Sequence, residues 1–338
     1  MWSFSRRRWH GVLGAGVLMV AGLAQAQAQT ALLNVSYDVS REFYKDLNIA
    51  FIAHYKKTSG KDISVSQSHA GSSAQARAVA DGLEADVVTM NTTTDVEFLA
   101  EKGVVAKDWA KRFPHNAAPT TSTMLFLVRQ GNPKQIKDWD DLVKPGVQVV
   151  VVNPKTGGNG RMAYLAAWGY VRSKGGTEAQ AAEFVGKLYK NVPVLARGGR
   201  DATGIFLQRN IGDVLVTFES EVVSVDKEFG AGKVDAIHPS ASIVAENPVA
   251  IVERTVQKKG TQEQAKAYLD FLYSDEGQEI AAKHNIRPRN EAILKKYSQA
   301  LRPIKLFTVA DYFGSLSEAQ KVHFNDGGQF DKLYTVGK

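Results

Sequence analysis

Short β-branched runs, each followed by a small-residue loop and an amphipathic stretch, recur along this chain and restrict it to an α/β architecture. Leu32 to Tyr37 reads as a strand. Ser40 to Lys57 reads as a helix with Phe43, Leu47, Ala50 and Phe51 on one face. Ile63 to Gln67 and Ala85 to Met90 are further strands, leading into helices at Ser72 to Ala80 and Thr94 to Glu101. A strand–helix–strand series of this kind implies a parallel sheet with helices on both faces. Later strands are expected at Met124 to Val128, Val147 to Val152, Val192 to Ala196, Asp213 to Glu219 and Val249 to Val252. Helices are expected at Arg161 to Tyr170, Glu178 to Tyr189, Gln262 to Tyr273 and Gly277 to His284. Eight or nine strands exceed one comfortable doubly wound core. Two sheets are therefore expected, with a ligand cleft between two α/β lobes at the carboxyl ends of their strands.

The rest of the composition narrows the class. With 44% apolar and 23% charged residues over 338 positions, disordered and fibrous proteins are ruled out. There is no cysteine, so a disulfide framework, a thiolate metal site and a cysteine nucleophile are excluded. The long apolar stretch is confined to the N-terminus. Arg6, Arg7 and Arg8 precede an apolar run from Gly11 to Leu23, and small-x-small sites follow at Ala24-Gln25-Ala26 and Ala26-Gln27-Ala28. Residues 1–28 read as a secretory signal peptide, which predicts export to the periplasm. The run is short for a membrane span and has no basic stop-transfer cluster after it.

Setting those three arginines aside lowers the formal charge from +7 to +4. Adjacent basic residues then come only in pairs, such as Lys56-Lys57 and Lys258-Lys259, with no aromatic-interleaved stripe. That pattern excludes a nucleic-acid partner, while a modest positive field suits a small anion.

Three strand-to-helix junctions share one chemistry. In Gln67-Ser68-His69-Ala70-Gly71-Ser72-Ser73, small residues admit a ligand to the backbone and Ser72 is a good N-cap. In Asn153-Pro154-Lys155-Thr156-Gly157-Gly158-Asn159-Gly160-Arg161, three glycines let N–H groups converge on an anion. A nucleotide P-loop is ruled out there, since Arg161-Met162 follows Gly160 in place of Lys-Ser/Thr. The third junction is Gly198-Gly199-Arg200-Asp201-Ala202-Thr203. Each helix start directs free N–H groups and a positive dipole end toward its loop. Taken alone, the first reads better as a plain capped helix, the second better as an anion loop than as a flexible turn, and the third is weak evidence. Three together, with no carboxylate cluster beside them, point to a small anion held by backbone dipoles.

Chemistry of the enzymatic kind finds no spelling. His54, His69, His115, His238, His284 and His323 do not pair at metal-ligand spacing, and neither H-E-x-x-H nor G-x-S-x-G occurs. Surface or core roles are the default for all six, His69 being the one candidate for the site. Asp140-Asp141 reads as the opening of a short helix, not as a metal site. No cofactor is implied.

Several stretches carry a more specific resemblance. They are Ser36-Tyr37-Asp38-Val39-Ser40-Arg41-Glu42, Gln67-Ser68-His69-Ala70-Gly71-Ser72, Asn153-Pro154-Lys155-Thr156, Tyr164-Leu165-Ala166-Ala167-Trp168-Gly169, Gly212-Asp213-Val214-Leu215 and Tyr273-Ser274-Asp275-Glu276-Gly277-Gln278. Over nearly the whole secreted chain the sequence resembles the sulfate- and thiosulfate-binding proteins of bacterial ABC importers. The resemblance implies a type II periplasmic binding-protein fold without catalysis, a monomer that delivers its anion to transmembrane permease subunits. It also implies a first lobe of residues 29–118 and 247–338 and a second of 119–246.

The resemblance further implies a dianion held without its water shell, mainly by backbone N–H groups. Matched position by position, Asp38, Ser72, Gly158, Asn159 and Gly199 are the expected backbone donors, and Ser72 adds its hydroxyl. Two positions depart from the sulfate-specific pattern. Gly157 stands where a serine is usual, with Thr156 as the substitute hydroxyl, and Phe218 stands where an indole donor is usual. Arg161 and Arg200 are expected to flank the anion without touching it, pairing with carboxylates such as Asp38 and tying the lobes together. The alternatives are a binding protein for molybdate or phosphate, or a secreted enzyme of the phosphatase or sulfatase type.

Overall fold

The computed structural model describes residues 30–334, so the predicted signal peptide at 1–28 lies outside the described residues. The first βα series forms as its periodicity demands. Strand β1 (Thr30–Tyr37) leads to helix α1 (Arg41–Ser59), β2 (Ile63–Ala70) to α2 (Ser72–Ala80), and β3 (Val87–Thr89) to α3 (Thr93–Glu101). Both β2 and β3 pair in parallel with β1. Helix α1 buries Phe43, Tyr44, Leu47 and Phe51. It ends at Gly60, whose φ of 70° is the left-handed cap that a residue without Cβ adopts at little cost.

A one-turn element, α4 (Pro114–Ala117), precedes β4 (Thr120–Ser122) and the second series. This comprises β5 (Met124–Arg129), β6 (Val149–Val152), α5 (Gly158–Ser173), α6 (Glu178–Lys190), β7 (Leu195–Ala196), α7 (Gly199–Leu207), β8 (Val214–Phe218), α8 (Ser220–Phe229) and β9 (Val234–Ile237). The strands order as β7-β6-β8-β5-β9. Strand β6 runs parallel to β7 and β8, and β5 runs antiparallel to β8 and β9. The sequence of β6 is an unbroken run of valines because both faces are covered. Val149 and Val151 enter one apolar core, and Val150 and Val152 enter another.

The chain then returns through β10 (Ala241–Ile243), β11 (Ala245–Asn247) and β12 (Val249–Ile251). β12 pairs antiparallel with β3 and completes the first sheet, in the order β12-β3-β1-β2. β11 pairs antiparallel with β4, so the outgoing and returning segments run side by side between the two large sheets. Helices α9 (Glu253–Lys259), α10 (Gln262–Phe271) and α11 (Asp275–Lys283) follow, and β13 (Arg287–Pro288) adds to β4. The short helix expected at Asp140-Asp141 is present as a 3₁₀ turn from Trp139 to Val143, capped by Asp138.

Two expectations need correction. The described residues contain fourteen strands in four sheets, against the eight or nine strands and two sheets expected. The additional strands, such as β4, β10 and β11, are too short to establish an alternating pattern. The packing of the tail also differs from the predicted lobe division. After α12 (Glu291–Lys296) come β14 (Lys305–Phe307), α13 (Val309–Phe313), α14 (Leu316–Ala319) and α15 (Gln329–Tyr334). Phe307, Phe324 and Phe330 share a core with Tyr164, Trp168 and Tyr189, so the apolar side chains of this tail pack on the second series, while α14 also touches α3 of the first.

That packing explains the Ala166-Ala167-Trp168-Gly169 motif. A Cβ on Gly169 would lie 2.2 Å from Cε2 of Phe307, so α5 can lie this close to β14 only with hydrogen at that position. Overpacking of this kind costs about 1–3 kcal/mol. Gly169→Ala is therefore expected to lower the melting temperature by several degrees, and adding Phe307→Leu to recover part of the loss, as read by thermal unfolding of the single and double variants.

Candidate functional site

The helices that start at the three predicted junctions share a feature. α2, α5 and α7 have Gly71, Gly157 and Gly198 at their N-caps, and no side chain caps any of them. Some other helices are capped, α6 by Thr177, α11 by Ser274, α12 by Asn290 and α13 by Thr308, while α1, α3, α8, α9 and α10 also lack a side-chain cap but have no glycine at the N-cap. The first-turn N–H groups of a helix have no intrahelical acceptor. In α2, α5 and α7 they are left for a partner from outside.

The three starts converge. A side chain at Gly71 would come within 3.9 Å of the Thr156 carbonyl oxygen and 4.0 Å of that of Arg197. One at Gly199 would come within 3.5 Å of Nδ2 of Asn159. One at Gly198 would meet Oδ2 of Asp38 at 2.9 Å. The structure thus brings Asp38, Ser72, Gly158, Asn159 and Gly199 to one place, all of them buried except the partly exposed Asp38.

Individual residues differ from expectation. Ser72 is the first helical residue and not the cap, because Gly71 takes that position. Its hydroxyl faces Met90 Sδ at 3.5 Å and accepts the Asn91 backbone N–H at 3.4 Å. The Gly157 N–H is used within its own turn, donating to the Asn153 carbonyl at 3.1 Å. The Thr156 hydroxyl, expected to replace the missing serine, instead donates to the Asn153 and Arg197 carbonyls at 3.2 and 3.4 Å. Thr156 is exposed, and its hydroxyl is occupied by closing the turn. His69 contacts the Tyr37 carbonyl and the Gln67 side chain, and burial lowers its pKa to about 4. Phe218 is buried at the end of β8, opposite Met124 of β5.

The arginines divide in a way the sequence did not reveal. Arg161, in the first turn of α5, crosses to the first series. Its Nη2 lies 3.5 Å from Asp95 Oδ1 and donates to the Ser73 hydroxyl, and its Nη1 donates to Thr94 Oγ1 at 3.3 Å. The Arg200 guanidinium stays beside its own helix, 3.0 Å from Glu228. Asp38 is met by the backbone N–H of Arg200 at 3.2 Å, not by a guanidinium. Asp38 and Asp95 thus join the two series, one through a peptide N–H and one through a full charge pair.

Residues at the site that the junction pattern missed are Asn91 and Thr92, from the loop after β3. A Cβ on Gly158 would lie 2.2 Å from Asn91 Oδ1 and 2.7 Å from Thr92 Cγ2. Thr92 is the N-cap residue of α3, and this helix start lacks the glycine that marks the other three junctions. Among the described residues, no group of three or more His, Asp or Glu side chains is placed to hold a metal.

Burial dominates the electrostatics. It raises the Asp38 carboxyl above its usual range, opposed by the N–H groups of Arg200 and Val39. Glu221, fully buried in α8 behind the start of α7, is raised to about 7, again by burial, with Arg200 and the Thr203 hydroxyl opposing. Since the folded pKa exceeds the unfolded one, this group's contribution to stability is complete below pH 4.5 and is lost as pH rises through 7. The loss is on the order of 3 kcal/mol. Glu221→Gln is expected to flatten the fall in melting temperature between pH 5 and about 8.5. An identical pH profile in parent and variant would refute that assignment.

Known proteins share this sequence and architecture. Residues 36–287 match the family described as bacterial extracellular solute-binding protein. A thiosulfate-binding protein of Pseudomonas aeruginosa is 55% identical over 322 residues, covering 94% of this chain and 97% of its own. A sulfate-binding protein of Escherichia coli K12 is 49% identical over 322 residues, covering 95% and 98%. The solved structure of the sulfate-binding protein SubI from Mycobacterium tuberculosis H37Rv superimposes with a TM-score of 0.78 at 31% identity. It covers 86% of this chain and 98% of that one. The fold is that of the type II periplasmic binding proteins, and the chain belongs to the sulfate- and thiosulfate-binding family of bacterial extracellular solute-binding proteins.

Proposed function

We propose that this protein captures sulfate and thiosulfate in the periplasm and delivers them, as a monomer, to the transmembrane subunits of an ABC importer. The observation that carries the reading is the convergence of three glycine-started, uncapped helix N-termini on one buried place. The names of the relatives agree with it. In this reading the first-turn N–H groups of α2, α5 and α7, at Ser72, Gly158, Asn159 and Gly199, surround the dianion together with the backbone N–H of Asp38, and the Ser72 hydroxyl is a further donor. Hydrogen bonds to an ion are stronger than neutral ones, so a neutral cradle can replace its water. Arg161 and Arg200 contribute field without contact. Their guanidinium groups are engaged by Asp95 and Glu228.

The β4–β11 pair is the natural hinge, since both segments that join the two large sheets run through it. Opening there would separate Asp38 and Asp95 from α7 and α5 and release the anion. Residues 29–118 with 247–304, and 119–246 with the aromatic tail, would then move as the two lobes.

A cradle made of donors discriminates by protonation. Phosphate near neutral pH keeps a proton that would face an N–H, an unpaired buried contact costing about 1–3 kcal/mol. Calorimetric titration with sulfate, thiosulfate, phosphate and molybdate is the direct test. Sulfate or thiosulfate should bind at least tenfold more tightly than phosphate at pH 7; equal affinities would refute a donor-only site.

Phe218 bears on the choice between the two sulfur anions. Thiosulfate carries one large, soft sulfur that accepts hydrogen bonds poorly, and a phenyl ring suits it better than an indole N–H does. Phe218→Trp is expected to raise the ratio of sulfate to thiosulfate affinity. A hydrogen bond to a charged group is worth roughly 1.5–3 kcal/mol, so the change should be at least several-fold. An unchanged or lower ratio would remove Phe218 from the specificity argument.

A further inference from the structure

One residue stands at the start of two of the three helices. Asn91, in the loop between β3 and α3, is 4% exposed. Its backbone N–H donates to the Ser72 hydroxyl at the start of α2. Its side chain extends to the start of α5, where Oδ1 lies 2.2 Å from the position a Gly158 Cβ would take. That oxygen has no hydrogen-bond partner. Asn159, on the α5 side, also has an unpartnered Oδ1, but its Nδ2 donates to Thr217 Oγ1 at 3.2 Å. Asn159 is thus tethered through its Nδ2, whereas Asn91 Oδ1 has no protein donor.

Buried polar side chains are nearly always paired, and an unpaired one needs a cause. A core asparagine with no partner would be selected against on stability alone. An amide standing between two uncapped helix starts has an evident partner: the group those starts bind. We infer that Asn91 contacts the bound anion and donates its side-chain amide to it. This rests on the anion-binding reading above and adds a residue to it.

The chemistry fits an oxyanion that carries no proton. An amide offers an acceptor and two donor hydrogens without charge. A half-turn of the amide about its Cβ–Cγ bond puts Nδ2 where the unpartnered Oδ1 stands, so the side chain can present a donor to the anion without taking the N–H groups of α5 from it. The donor comes from the loop after β3 and offsets the indole that Phe218 does not supply. A lysine there would also attract the dianion, but a neutral donor allows release when the cleft opens.

The test titrates sulfate and thiosulfate by calorimetry into the parent, Asn91→Ala and Asn91→Asp, with the melting temperature of each ligand-free protein as control. Asn91→Ala should weaken the tighter-bound anion ten- to a hundredfold while leaving the ligand-free melting temperature unchanged or higher, since it removes an unpaired amide. Asn91→Asp should weaken it further, by placing a carboxylate against a dianion. Should the alanine variant fail to fold, Asn91→Ser carries the same comparison. Affinity within twofold of the parent overturns the inference, as does a loss matched by a lower ligand-free melting temperature, the mark of a purely structural residue. A parent that binds neither anion overturns the anion reading itself, and the role of Asn91 with it.

Discussion

Backbone N–H groups that the fold leaves without acceptors govern this structure. A helix start buried without a cap is unfavourable, because each donor has lost water and gained nothing. Here three such starts meet, and glycine at each N-cap removes the side chain that would otherwise have served. In the proposed reading an anion supplies the acceptors they lack. Binding and closure would then be one event, since the donors come from elements on both large sheets.

The charged residues serve that closure from a distance. Arg161 spans from α5 to Asp95, Ser73 and Thr94, and is buried along with its partners Asp95 and Ser73. Near the joining strands, Arg287 of β13 grips Glu219, just past β8, with two bonds of 2.6 and 2.7 Å. Both residues are buried, and both bonds are geometrically demanding. Buried pairs of this kind contribute little net stability, yet breaking one leaves an uncompensated charge. They favour one relative placement of the sheets over many similar ones. Glu221 behind α7 belongs to the same economy. Burial raises its pKa to about 7, so it carries less negative charge near neutral pH than an exposed carboxyl would.

The fold supplies the scaffold through ordinary packing. β6 is sandwiched by apolar cores on both sides, and its carboxyl end delivers the loop that begins α5. The aromatic tail presses Phe307 onto Gly169 and Phe324 onto Tyr164, which fixes the axis of α5. A helix whose first turn must aim N–H groups at a small target cannot be free to tilt. The tail therefore bears on the site without approaching it.

The strand–helix alternation, the three small-residue junctions and the anion chemistry they imply were all legible in the sequence, because each depends on neighbours a few residues apart. Side-chain periods of two and 3.6 residues and the absence of a Cβ are local properties. The family resemblance rested on short motifs of the same local kind. Other features arose only when distant segments met. The pairing of Arg161 with Asp95, the diversion of the Thr156 hydroxyl to Arg197, the seat of the tail on α5 and the unpartnered amide of Asn91 each join residues separated by tens of positions or more. A side chain's partner is set by which surfaces the burial of apolar area brings together, and that area is summed over the whole chain. The sequence by itself determined which backbone would be free to bind an anion; the tertiary structure decided which side chains stand beside it.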